Sequence, residues 1–213
     1  MEPLQRFALS VLVVVACGLC GRAGPALAAD EFTPRPYASL SLGLGYATLE
    51  RDPSSSTVEF AVQGNALHLD AALGASLAEP LAAHVSVYSA IVMAPRMTRN
   101  DARISMGDAE LIVGGVGPGF TYRVPVVDLH VSVSGGLGWS VLYLGDRESS
   151  TWSDLGYSAR AGVHYEFGRV DELALSVGLR GVLARIRDID GFGGDNDTNR
   201  VLAFSGFAGM VYR

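Results

Sequence analysis

The sequence predicts an all-β fold, an eight-stranded antiparallel up-and-down transmembrane β-barrel, and three observations carry that expectation. Apolar residues alternate with small or polar ones at period two through most of the chain, the pattern of strands with two unlike faces. The connections between these segments are short and long by turns. The composition is 49% hydrophobic and only 18% charged, with 26 glycines in 213 residues and a mean hydropathy of +0.27, yet no apolar run reaches the ~20 residues that a membrane-crossing helix needs.

The first segment is a targeting signal rather than part of the fold. Arg6 precedes an apolar run from Phe7 to Ala16, and Ala26-Leu27-Ala28 supplies the small residues of a cleavage site, so residues 1–28 read as a secretory signal peptide cut before Ala29. Val14-Val15-Ala16-Cys17 offers the competing reading, a lipoprotein processing box that would leave a lipid on Cys17. Both cysteines, Cys17 and Cys20, fall in this segment, so the exported chain has no disulfide framework. Loss of Arg6, Arg22 and Glu2 moves the formal charge from -6 to -7, which excludes the basic surface that nucleic acid requires.

Residues 29–36 form a short Pro-containing lead, with Tyr37 just outside the first strand, and residues 37–213 form the barrel. The clearest strand is Val127 to Tyr143. Val127, Leu129, Val131, Val133, Leu137, Trp139, Val141 and Tyr143 share one face, while Asp128, His130, Ser132, Ser134, Gly136, Gly138 and Ser140 share the other. Ala38 to Thr48 opposes Leu40, Leu42, Leu44 and Tyr46 to serines and glycines. Asn65 to Ala78 opposes Leu67, Leu69, Leu73 and Leu77 to His68, Asp70, Gly74 and Ser76. Ala83 to Met93, Tyr157 to Phe167 and Leu173 to Leu183 continue the alternation, and in Ala109 to Arg123 and Val201 to Tyr212 glycines blur it.

The turns at Glu79-Pro80-Leu81, Val124-Pro125-Val126 and Gly168 to Glu172 are short. Glu50 to Gly64, Pro95 to Asp108, Gly145 to Leu155 and Asp188 to Arg200 are long and polar. Short turns belong to the periplasmic end of a transmembrane barrel and long loops to the outside. Tyr157 and Phe167 lie on one face ten residues apart; at ~3.4 Å per residue and ~40° of tilt they span roughly 26 Å, close to the height of an apolar belt between aromatic girdles. Tyr165, Tyr122 and Tyr212 join Phe167 at the periplasmic girdle, and Tyr46, Tyr143 and Trp139 join Tyr157 at the outer one. A soluble lipocalin-like barrel would turn its apolar face inward around a ligand. Here the Gly, Ser and Ala face suits a narrow interior, so the Leu/Val face is assigned to lipid, with closure leaving no unpaired backbone in hydrocarbon.

With strands and loops placed, the chain resembles small outer-membrane β-barrels of the OmpA/OmpX type across residues 37–213. The resemblance rests on Gly114-Gly115-Val116-Gly117-Pro118-Gly119-Phe120-Thr121-Tyr122, on Gly135-Gly136-Leu137-Gly138-Trp139, and on the terminal Val211-Tyr212-Arg213. It implies the outer membrane of a Gram-negative bacterium, outer-membrane lipid and lipopolysaccharide as surroundings, and the outer-membrane assembly machinery as a partner that reads the terminal aromatic.

The chemistry expected inside the barrel is polar. His68, Asp70, His84, Asp128, His130, Arg160, His164, Glu166 and Arg180 all take lumen-facing positions, with His84, His130 and His164 toward the periplasmic end. A His/carboxylate group can ligate a transition metal, but hydrogen bonding and ion pairing across a narrow lumen is the favoured reading, because charges removed from water need partners. His130-Val131-Ser132 pairs a base with a hydroxyl, as lipid hydrolases do, but both face the lumen, away from lipid. Asp188, Asp190, Asp195 and Asp197 match no calcium-loop spacing, and Asp52 to Ser56 reads as a loop tip. No cofactor, metal or catalytic motif is expected. The favoured function is a structural or surface-interaction barrel with a plugged lumen, ahead of a narrow solute pore and of a lipid-modifying enzyme.

Overall fold

The computed structural model describes residues 33–51, 60–100, 102–104, 109–143, 150–152, 155–187 and 198–213. The signal segment with Cys17 and Cys20, the tip at Asp52 to Ser56 and the aspartates between 188 and 197 lie outside the described residues. Among the described residues eleven strands follow in order: β1 Pro36–Arg51, β2 Phe60–Ala78, β3 Leu81–Met93, β4 Arg96–Arg99, β5 Ala102–Ile104, β6 Glu110–Val124, β7 Leu129–Tyr143, β8 Ser150–Trp152, β9 Gly156–Val170, β10 Leu173–Arg187 and β11 Thr198–Tyr212. The eight long ones pair antiparallel with their neighbours in sequence. β1 pairs with both β2 and β11, which closes the sheet. The fold is a closed eight-stranded up-and-down barrel, and no described helix is long and apolar enough to cross a membrane.

Sequence and structure differ in instructive places. The stretch Pro95 to Asp108, expected as loop, carries the short strands β4 and β5 on the end of β2, and β8 adds to β7. β2 begins at Phe60 rather than near Asn65, and β7 begins at Leu129 rather than Val127, because residues 125–128 form the turn. Tyr37 is not outside the barrel: it lies within β1, 6% exposed and on the inward face. Gly168 is one position where backbone freedom is required. Its φ of +59° accompanies an irregularity in which Val170 pairs with Leu173 but Phe167 with Leu175, a bulge that bends β9 into its turn.

The faces sort as lipid demands across the middle of the barrel. Leu40, Leu42, Leu44, Val133, Leu179 and Phe204 point outward and are 50% or more exposed. Tyr157 and Phe204 stand outward toward the long-loop end, with Tyr46 stacked on Phe204 at 6.0 Å. Tyr122, Tyr165, Phe167 and Tyr212 stand outward toward the short-turn end. Trp139 covers Gly114, where any Cβ would strike the indole, and Tyr143 ends β7 opposite Glu110.

Beyond that belt, toward the long loops, the alternation changes phase. Thr48, Glu50, Gln63, Arg185 and Arg200 now face out, while Leu49, Val62, Ile186 and Val201 are fully buried inside. With Leu111, Leu142 and Met97 they form a packed apolar core in the loop-end half of the interior. The inversion is the physical response to a change of solvent: where water replaces lipid outside, apolar side chains are stabilised by turning in, at ~1.5–3 kcal/mol for each large one. The interior is therefore not polar throughout, as the alternation alone suggests.

Candidate functional site

The other half of the interior, from mid-barrel to the short turns, holds the polar groups. They arrive there because inward positions are even on β2, β3, β7, β9 and β10 and odd on β1, β6 and β11, so register alone stacks residues far apart in sequence. His68, Asp70, His84, His130, Arg160, His164 and Glu166 are each at most 7% exposed.

Three groups are distinguishable. At mid-barrel, Asp70 on β2 forms an ion pair with Arg160 on β9, and Arg180 Nη2 on β10 stands 3.6 Å from the second Asp70 oxygen. Arg180 also donates to Ser41 Oγ at 2.9 Å and lies 4.2 Å over the Phe207 ring. This is a carboxylate clamped by two guanidiniums, with an aromatic face and a hydroxyl absorbing the excess positive charge. Below it, Tyr37 stacks on His84 with centroids 5.5 Å apart, and Thr121 Oγ1 is 3.1 Å from His84 Nε2 and 3.5 Å from the Tyr37 hydroxyl. Nearest the turns, His130 and His164 stack at 4.9 Å and 10° and both face Glu166. Arg213, the last residue, reaches in with Nη2 at 2.6 Å from the other Glu166 oxygen.

Asp128 departs from its expected place. It lies in the turn at the rim, half exposed, and accepts a hydrogen bond from Arg123 Nη2 at 2.6 Å. That guanidinium holds the Asp128 carboxyl below the usual carboxylate range. The expectation failed because the strand starts one residue after it. Tyr37 was expected outside the strand, and Thr121, Ser41, Phe207 and Arg213 were not expected in this network. Their inward parity was the available signal for the first four, and for Arg213 only the neighbouring strand ends reveal it.

The polar half is tightly filled. Its internal cavity, lined by Tyr37, Asp70, His84, Arg160 and Arg180 among others, has a volume of about 20 Å³, room for about one water. At the short-turn mouth a more open pocket of about 410 Å³ is lined by Arg35, Arg123, Arg169, Arg213, Glu79, Thr33 and Ser76. Ser132 Oγ donates to the Gly162 carbonyl at 3.5 Å, while His130 faces Glu166.

No protein-family model matches the chain, and no curated protein matches it in sequence. Solved outer-membrane barrels do match its shape. The likeness is one of fold. Neisserial surface protein A is 14% identical, with 85% of this chain and 99% of that one covered at a TM-score of 0.48. Ail of Yersinia pestis, solved with the heparin analogue sucrose octasulfate, is 12% identical over 83% and 99%, at 0.45. The outer membrane protease OmpT of Escherichia coli is 10% identical over 86% and 99%, at 0.46.

Proposed function

We propose that the protein is a non-conducting barrel of the Gram-negative outer membrane, a rigid scaffold that carries long loops to the cell exterior for contact with the environment. The observation that carries this reading is the filled interior: an ion-paired, aromatic plug in one half, with a cavity of only about 20 Å³, and an apolar core in the other. An eight-stranded interior is just wide enough for side chains to fill it, and ions do not cross a core of Leu, Ile and Val. A rigid wall with chemistry on its loops is the usual arrangement of an interaction scaffold. The inward Ser132, bonded to a backbone carbonyl, supports leaving out lipid hydrolysis, whose substrate would lie outside the wall.

Lipopolysaccharide is the proposed surrounding lipid on the loop side. Register places Glu50, Arg200, Arg185 and Tyr157 in one outward row across β1, β11, β10 and β9. An aromatic beside cross-strand arginines at the top of an apolar belt fits a layer of phosphorylated lipid head groups. The assembly machinery is the second proposed partner, through the terminal strand ending in Tyr212.

Planar-bilayer recording on the refolded chain tests the main reading. The expected result is no discrete conductance step at any applied voltage, whereas reproducible single-channel steps would replace it with a narrow solute pore.

A further inference from the structure

The group nearest the short-turn mouth is organised for more than ion pairing. His130 and His164 sit directly opposite each other on β7 and β9, their rings are near-parallel, and both Nε2 atoms approach one oxygen. His130 Nε2 is 3.2 Å and His164 Nε2 3.7 Å from Glu166 Oε1. The three donor atoms lie within 4.8 Å of one another on side chains that are all buried. None of the three has an aligned hydrogen-bond partner among the described residues. Buried polar atoms without an aligned partner are costly, at ~1–3 kcal/mol each, and a cation held where the three converge satisfies all of them at once.

From this geometry we propose that His130, His164 and Glu166 form a three-ligand site for a divalent ion of the zinc class, just inside the short-turn mouth. Two neutral imidazoles and one carboxylate are a zinc donor set, and bonds of ~2.0–2.1 Å in tetrahedral geometry place donors roughly 3.3–3.4 Å apart, between the 3.2 and 3.7 Å edges present here. Arg213 engages only Glu166 Oε2, which orients the carboxylate so that Oε1 remains for the ion, the part an outer-shell partner plays at metal sites. Entry is from the mouth, whose lining carries Arg35, Arg123, Arg169 and Arg213 with Glu79 beside them and Asp128 paired to Arg123. The ion would staple β7 to β9 and complete the plug where it borders water.

The test is Zn²⁺ titration of the full refolded barrel in detergent, read by competition with a chromophoric chelator, with Co²⁺ absorption as an independent report of coordination. The expected result is one ion per barrel, and binding weaker by about tenfold or more in His164→Gln and in Glu166→Gln. His68→Gln, at a buried histidine outside the group, should bind as the unaltered chain does. Each variant is first shown to be folded by its boiling-dependent migration in SDS gels, so loss of binding is separated from loss of the barrel. Absence of stoichiometric Zn²⁺ binding, or binding that survives in a folded His130→Gln/His164→Gln double variant, would overturn the proposal.

Discussion

Asp70 shows how one residue can hold the polar half together. Its carboxylate meets Arg160 and Arg180 where all three are nearly excluded from water, so the two guanidiniums depend on it for compensation. Replacing Asp70 by Asn keeps the volume and removes the charge, leaving two buried cations facing each other. The expected cost is ~3–5 kcal/mol, the range for breaking a buried pair by deleting one partner, measured by urea unfolding from lipid vesicles. Adding Arg160→Met to Asp70→Asn should recover part of that loss, because one of the two orphaned cations is gone. A loss below ~1 kcal/mol in the single variant would mean that the guanidiniums reach water through the mouth.

At the scale of the strand, the phase change in the alternation marks where lipid ends. Along β10, Leu175, Val177, Leu179 and Leu183 face out within the belt, whereas Arg185 and Arg187 face out above it and Ile186 turns inward. Two substitutions locate this boundary. Leu179→Arg, 65% exposed at mid-belt, should cost ~2–4 kcal/mol in a bilayer, while Thr48→Arg, facing out above the belt, should stay within about ±0.5 kcal/mol. Equal, small effects at both sites would mean that the wall faces water along its whole length. The period-two signal was legible throughout β1, β7 and β9, but its phase was not. Residues 60–64 looked like loop because Phe60 and Val62 alternate with Ala61, Gln63 and Gly64 in sequence, and only the closed barrel shows Phe60 and Val62 turned inward, with Val62 between Leu49 and Met97.

For the whole molecule, the outward row of Glu50, Arg200, Arg185 and Tyr157 crosses four strands in one line of register. Arg185 and Arg200 stand directly opposite each other in that row, with Glu50 facing Arg200 from β1, and two guanidiniums side by side suit an anion that bridges them. If lipopolysaccharide phosphate is that anion, its addition should raise the temperature at which the compact form is lost in SDS gels. An Arg185→Ser/Arg200→Ser variant should lose most of that increase while keeping its own basal transition. An unchanged increase in the variant would place the lipid contact elsewhere on the wall.

What the sequence by itself determined is the class of solution: period-two strands, an even count of them, short turns at one end and long loops at the other, and a small-residue face that fits a narrow interior. These follow from local geometry, since side chains alternate across a strand whatever it pairs with. The partners were decided only by tertiary structure. Closure and register set Asp70 against Arg160, His130 against His164, and Tyr37 against His84, across 90, 34 and 47 residues of chain. Pairing register and strand tilt act over the whole circumference, and no local pattern encodes which inward side chains will share a level of the lumen.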